Sequence, residues 1–141
     1  FKQKTAYEIM PSLGAGDVYK RQVIKILPEL DKAGLNVKII AAISHELFLR
    51  QPKSYQEKIL SREEWPDAMT ITNGCRRQMS DWIANKVVEE YSLSSDWDNR
   101  WRTGGTIEEV CEEAHISPQW ILHGIEKFVR DREKRLKYTP I

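Results

Sequence analysis

The chain has 141 residues, with 22 Lys and Arg against 21 Asp and Glu, 40% apolar residues and only two cysteines. That length suits one domain with room for a core, and the composition is that of a folded, soluble chain. Two cysteines exclude a disulfide framework, and no apolar run approaches the ~20 residues that cross a bilayer. A charge near zero removes the main electrostatic argument for nucleic-acid binding. The N-terminal stretch also lacks the charged, apolar and small-residue blocks of a secretory signal. The expectation is therefore a cytoplasmic domain with free thiols at Cys75 and Cys111, no membrane and no nucleic-acid partner.

Residues 1–22 (FKQKTAYEIMPSLGAGDVYKRQ) show no clear period. Gly14-Ala15-Gly16 lacks the third glycine and the Lys-Ser/Thr that complete a phosphate loop. DVYKRQ (17–22) resembles the translation of the transposase end used in sequencing-library adaptors, so residues 1–22 are expected to be a non-native leader. From Val23 the pattern becomes legible. Ile24, Leu27 and Leu30 fall at helical spacing over 23–34, with Gly34 as the stop, and Pro28 is tolerated only in the first turn of a helix. NVKIIAAI (36–43) is a near-continuous apolar run that predicts a strand buried on both faces.

Short capped helices come next. Ser44 caps 45–49, and Ser54 with Glu57 and Ser61 with Glu64 fit the capping box. AMTITNG (68–74) predicts a second strand ending at Asn73-Gly74. Arg76–Tyr91 reads as one helix, and SLSSDWD (92–98) as a weaker strand. Thr106 with Glu109 forms a further capping box, opening a helix to about Ala114. Ser117-Pro118 opens a long final helix to about Arg135. Strand and helix alternate, which predicts an α/β fold with a mainly parallel sheet.

The sharpest candidate site is an anion-binding turn formed by Arg100, Arg102, Gly104, Gly105 and Thr106. Glycines before a helix start expose N–H groups, and two arginines flank them. The structural alternative is a turn that needs glycine for its backbone angles. His45, His115 and His123 have no metal-ligand spacing and read as structural or surface residues. Cys75 beside a helix start has no partner histidine in sequence, and Ser44-His45-Glu46 reads as a cap rather than a triad. Glu108, Glu109, Glu112 and Glu113 read as a solvated acidic face suited to a helix start. Lys127, Arg130, Arg132, Lys134, Arg135 and Lys137 form a basic tail suited to a helix end. The five Trp sit at core-like positions, except that Trp97 and Trp101 are placed to border an interface.

AGLNVKIIAAISHELFLRQPKSYQEKIL (33–60) resembles the C-terminal domain of transketolase. The match runs through Gly34, a strand, Ser44, Glu46-Leu47-Phe48, Gln51, Tyr55 and Leu60. TITNG (70–74) and 92–121 look like the later strands, glycine turn and helices of that domain. Asn73-Gly74 replaces the family's usual acidic residue, and Trp101-Arg102-Thr103-Gly104 replaces its Phe-Gly-x-Ser turn. The equivalent domains of 1-deoxyxylulose-5-phosphate synthase and pyruvate dehydrogenase E1 β share the last part of the pattern.

The resemblance implies a three-layer α/β/α sandwich with a mainly parallel mixed sheet, missing its first strands. It implies a domain over 23–136, a tail over 137–141, and a structural and dimer-contact role. The whole enzyme would be a homodimeric transferase of the pentose phosphate pathway that moves two-carbon ketol units between sugar phosphates. Thiamine diphosphate and a divalent metal would be bound by the preceding pyrophosphate- and pyrimidine-binding domains. No family catalytic, cofactor or metal residue falls on this chain, which is expected to be inactive alone. In place of the lost central strand, either residues 5–10 serve as a surrogate or the flanking strands close up. The alternative reading is a stand-alone α/β interaction or anion-binding module.

Overall fold

The structure, a computed structural model, describes residues 7–11 and 18–138, with side chains from Arg21 onward. The chain runs β1 (Tyr7–Pro11), α1 (Val18–Lys25), α2 (Leu27–Lys32), β2 (Val37–Ile39), α3 (His45–Leu49) and α4 (Lys53–Ile59). A 3-10 turn (Trp65–Asp67) leads into β3 (Ala68–Thr72), and a 3-10 segment (Arg76–Trp82) follows it. Then come α5 (Lys86–Glu89), β4 (Leu93–Ser94), α6 (Ile107–Glu113), α7 (Pro118–Arg130) and α8 (Arg132–Leu136). The fold is thus mixed α/β.

The strands form one sheet in the order β2-β1-β3-β4, and every described pairing is parallel. β1 lies in the middle, with Ile9 opposite Ile39 on one side and Met69 on the other. This is the first of the two outcomes expected for residues 5–10, shifted to 7–11. Backbone from the expected leader therefore supplies a central strand and the start of α1.

β3 is buried at all five residues, and its alternation sorts them between two cores. Met69 and Ile71 join Val23, Ile26, Leu30, Val88 and Tyr91 with Ile121, Ile125 and Phe128 of α7. Ala68 joins Ile40, Ala42, Leu60, Met79 and Trp82. The i, i+4, i+7 spacing of Ile121, Ile125 and Phe128 puts one stripe of α7 against the first core. Each is completely buried, and each such side chain contributes about 1.5–3 kcal/mol.

Local signals are met where the partner is a neighbour in sequence. Pro28 sits in the first turn of α2, and Gly34 takes φ +70 just past its end, with the Leu35 N–H donating to the Leu30 carbonyl. Ser44 Oγ accepts from the Leu47 N–H at 3.3 Å. Ser61 and Glu64 exchange reciprocal bonds ahead of the 3-10 turn.

Other expectations are corrected. The run 36–43 does not make a strand buried on both faces. Regular pairing covers only Val37–Ile39 at the sheet edge, where Ile39 and Ile43 are exposed while Ile40 and Ala42 turn into the second core. Ser54 and Glu57 form no capping box, because α4 begins at Lys53 behind Pro52, and Glu57 accepts from the Arg62 N–H instead. Residues 76–91 are not one helix. Ile83 takes an extended conformation that lets it pack against both cores, and Asn85 Oδ1 restarts the chain as α5 by accepting from the Val88 N–H at 3.0 Å.

The final helix likewise breaks, at Asp131, whose carboxylate accepts from Tyr91 Oη at 3.1 Å. The bend re-aims α8 and buries Arg135 completely. Its Nη1 donates to the Pro66 carbonyl (2.7 Å), Nε to the Phe128 carbonyl (3.1 Å) and Nη2 to Asp67 Oδ1 (3.2 Å). Arg132 completes the arrangement by donating from Nε and Nη2 to Asp67 Oδ2. The basic tail is therefore not a uniformly solvated face: two of its arginines clamp α8 to the turn before β3.

Candidate functional site

β3 and β4 end side by side, and the loop after β4 carries the predicted anion site. In open α/β sheets ligands bind beyond the carboxyl ends of the strands, and two clefts lie there. One, of about 610 Å³, is lined by Cys75, Asp96, Asn99, Arg100, Trp101 and Arg102. The other, of about 340 Å³, includes Asn73, Arg102, Gly105, Thr106 and Cys111 in its lining. Arg100, Arg102, Gly105 and Thr106 thus line clefts on a shared loop, while Gly104 lies on the loop between them.

The donors of this loop are engaged by carboxylates of the chain itself. Arg100 Nε donates to Asp98 Oδ2 at 2.8 Å, and Arg102 Nη2 donates to Asp98 Oδ1. Arg102 Nη1 donates to the Glu113 carbonyl at 3.0 Å. The Thr103 N–H and hydroxyl both donate to the Glu113 carboxylate. The Thr106 N–H donates to Glu109 Oε2 at 2.8 Å, and the Glu109 N–H returns a bond to Thr106 Oγ1. The predicted capping box is therefore formed, and Glu109 holds the helix start where an external anion would sit.

Electrostatics follow from these contacts. Burial acts to raise the Asp98 pKa, but bonds from Arg100 and Arg102 outweigh it and hold the carboxyl at about 2. Thr103 is the main cause that lowers Glu113, and Thr106 the main cause that lowers Glu109. Neither Gly104 nor Gly105 takes positive φ, so backbone angle does not account for the pair. Gly105 has a spatial role: a Cβ there would lie 2.8 Å from Glu109 Oε2, against the carboxylate that caps α6.

The other sequence candidates are dispersed. Ser44 caps α3, and His45 packs edge-on against Trp82 at 5.0 Å. Cys75 is exposed in the larger cleft; Cys111 is buried, and burial pushes its thiol up. The acidic face of α6 is not simply solvated: Glu109 and Glu113 hold the loop, and Glu112 accepts from Trp120 Nε1 at 2.8 Å. Trp65 and Trp82 pack with the second core, whereas Trp101 is 98% exposed at the rim of the larger cleft.

Sequence reasoning missed one assembly. The His115 ring is stacked between Trp97 (4.1 Å between centroids) and Trp120 (3.7 Å). Its members come from three segments, so no local spacing announces it. Only Trp120 and His123, three residues apart on α7, carry a trace of it in sequence. Among the described residues, no group of three or more His, Cys, Asp or Glu is arranged to hold a metal ion, and no helix is long and apolar enough to cross a membrane. A scan against protein-family models matches none of them, and a search of curated proteins finds no match to this chain.

Proposed function

We propose that this chain is the C-terminal structural and dimer-contact domain of a transketolase-like, thiamine-diphosphate-dependent transferase, and that it is inactive alone. The observation that carries the reading is the surface built by the block 33–60, where the resemblance is strongest. Within it, Gly34 ends a helix, β2 follows, Ser44 caps the Glu46-Leu47-Phe48 helix, and the Tyr55 helix leads to buried Leu60. Its outer face leaves Ile43 75% exposed and Leu47, Leu49 and Tyr55 about half exposed, around a shallow groove of about 380 Å³. A contiguous apolar surface of this kind marks a contact with another protein unit.

On this reading the groups packed against the two faces of β3 are parts of a three-layer α/β/α sandwich, and β1 substitutes for a native central strand. Thiamine diphosphate, the divalent metal and the sugar phosphate belong to the pyrophosphate- and pyrimidine-binding domains. Among the described residues no group of three or more His, Cys, Asp or Glu is arranged to hold the metal. The chain's contribution is the outward apolar face of α3 and α4, which excludes water from a domain or dimer contact.

The test is co-expression with the pyrophosphate- and pyrimidine-binding domains of a transketolase. The expected result is a stable complex that Leu47→Asp weakens without unfolding the chain, and no ketol transfer from xylulose 5-phosphate to ribose 5-phosphate by the chain alone. Transfer by the isolated chain, or failure of the wild-type chain to associate, overturns the reading.

A further inference from the structure

A further cleft, of about 200 Å³, lies between α7 and the segment around β4, and its lining shares no residue with the two anion-loop clefts or the α3–α4 groove. One wall is the ring column of Trp97, His115 and Trp120, whose successive planes are inclined by only 15° and 12°. The column is held in place. His115 occupies the left-handed region (φ +57), which costs a non-glycine residue about 1 kcal/mol or more. The bond from Trp120 Nε1 to Glu112 fixes the plane of the outer indole.

The facing wall is made by Tyr91 and Leu93. Leu93 reaches α7 because position 124 is glycine: a Cβ there would lie 2.9 Å from Leu93 Cδ1. Trp120, His123, Gly124 and Lys127 fall at i, i+3, i+4 and i+7, so they form one stripe of α7 beside its buried stripe. At the rim, Lys127 Nζ stands 4.4 Å from the centre of the Tyr91 ring, and Asp131 is 4.0 Å from it. His123 is exposed and edge-on to Trp120.

We propose that this cleft is a binding site for a small, flat aromatic or heteroaromatic ring that carries an acidic group. The ring packs against the aromatic walls, and Lys127 is the counter-ion for the acid. Size fits: a cavity of about 150 Å³ takes a benzene ring, so this cleft takes one ring or two fused rings. The walls fit as well, since ligand sites are mostly apolar and aromatic with a few polar groups that set orientation. The cluster opens to solvent beside Trp97, which is 43% exposed. Lys127 already occupies the electron-rich face of Tyr91, so a cationic ligand cannot use that face, while an acidic ligand gains Lys127 by exchanging its 4.0 Å contact with Asp131 and by staying clear of Glu90 in the lining.

The test is a titration of the ¹⁵N-labelled chain with indole-3-acetate, indole and tryptamine, read at the indole Nε1–H signals of the five tryptophans. Indole-3-acetate is expected to shift Trp97 and Trp120 while leaving Trp101, which is 98% exposed on the same β4–α6 loop but lines a different cleft, unmoved. It should bind about fivefold more tightly than tryptamine, as one exposed ion pair allows. Lys127→Met, at an exposed position, should level the two affinities, and Trp97→Ala should weaken all binding with Trp65 and Trp82 signals unchanged. No shift at millimolar indole-3-acetate, equal binding of acid and amine to the wild-type chain, or equal shifts at Trp101 overturns the proposal.

Discussion

Asp67→Ala tests whether the clamp between α8 and the turn before β3 holds the domain together. In the wild-type chain Asp67 accepts from Arg135 Nη2 (3.2 Å) through Oδ1, and from Arg132 Nε (2.8 Å) and Nη2 (2.7 Å) through Oδ2. Arg135 is completely buried, and its guanidinium lies 3.5 Å from the centre of the Phe128 ring. Burial lowers its pKa, with Asp67 opposing that effect.

Removing Asp67 takes a carboxylate away from a buried cation that keeps its bonds to the Pro66 and Phe128 carbonyls and its place over the Phe128 and Tyr91 rings. Breaking a buried pair from one side costs about 3–5 kcal/mol. The two retained carbonyls place Asp67→Ala near the lower end, about 3 kcal/mol, or roughly 10 °C in Tm for a chain of this size. Arg135→Met should cost less, about 1–2 kcal/mol, because it removes the buried charge and leaves Asp67 paired to Arg132. The double variant should then be more stable than Asp67→Ala alone. Urea unfolding followed by far-UV circular dichroism measures all three. An Asp67→Ala cost below about 0.5 kcal/mol, or an Arg135→Met cost exceeding it, would refute the reasoning.

Three further outcomes are expected. Asp98 titrates at about 2 in the folded chain against an ordinary 3.8; its ionised form therefore favours folding above about pH 4, and that contribution is lost as pH falls toward 2. The Arg100 Nε–H signal should broaden over that window, and Asp98→Asn should show the low-pH signal at pH 7; a signal unchanged down to pH 2 would contradict the pairing. Gly124→Ala raises helix propensity by about 1 kcal/mol yet drives a Cβ to 2.9 Å from Leu93 Cδ1. The net effect should be a loss of about 1 kcal/mol that vanishes in a Leu93→Ala background, since overpacking of this kind costs about 1–3 kcal/mol; additive effects would sink the argument. In hydrogen exchange the amides of β2, at an edge and paired only with β1, should exchange far faster than those of Met69–Ile71, and global protection across 36–43 would count against the edge assignment.

Most features whose partner lies within a few residues were legible in the sequence, the exception being Ser54–Glu57, where the helix already begins at Lys53 behind Pro52. The Thr106–Glu109 box, the Ser44 cap, Gly34 and the first-turn position of Pro28 all close over three to five residues, so residue type and spacing determine them. Features closed by distant partners were not. Arg135 reads as one of a basic tail suited to a helix end until α8 meets Asp67, 68 positions earlier. The helix pattern of 76–91 is overridden at Ile83 because two cores compete for one side chain. The apolar run 36–43 suits a central strand, yet an interior position of the sheet is taken by residues 7–11, whose residue order alone shows no clear period.

The anion loop shows the same division within a few residues. Donor residues were visible in sequence as two arginines, two glycines and a threonine, and they lie on one loop between β4 and α6. Their acceptors were visible too, but only Glu109 was matched to the loop, through its capping box with Thr106; Asp98 was read as part of a strand and Glu113 as part of a solvated acidic face. Helix periodicity decides the matter: Glu109 and Glu113 are four apart, so both lie on the side of α6 that faces back along the incoming loop. A loop whose cations and N–H groups are matched by carboxylates on the next helix turn is a folded hinge-point between β4 and α6. An external anion would have to displace Asp98 or Glu109 from close hydrogen bonds to enter, so the ring cleft beside α7, whose walls are aromatic and whose Lys127 meets Asp131 at 4.0 Å, is the better place on this chain to look for a ligand.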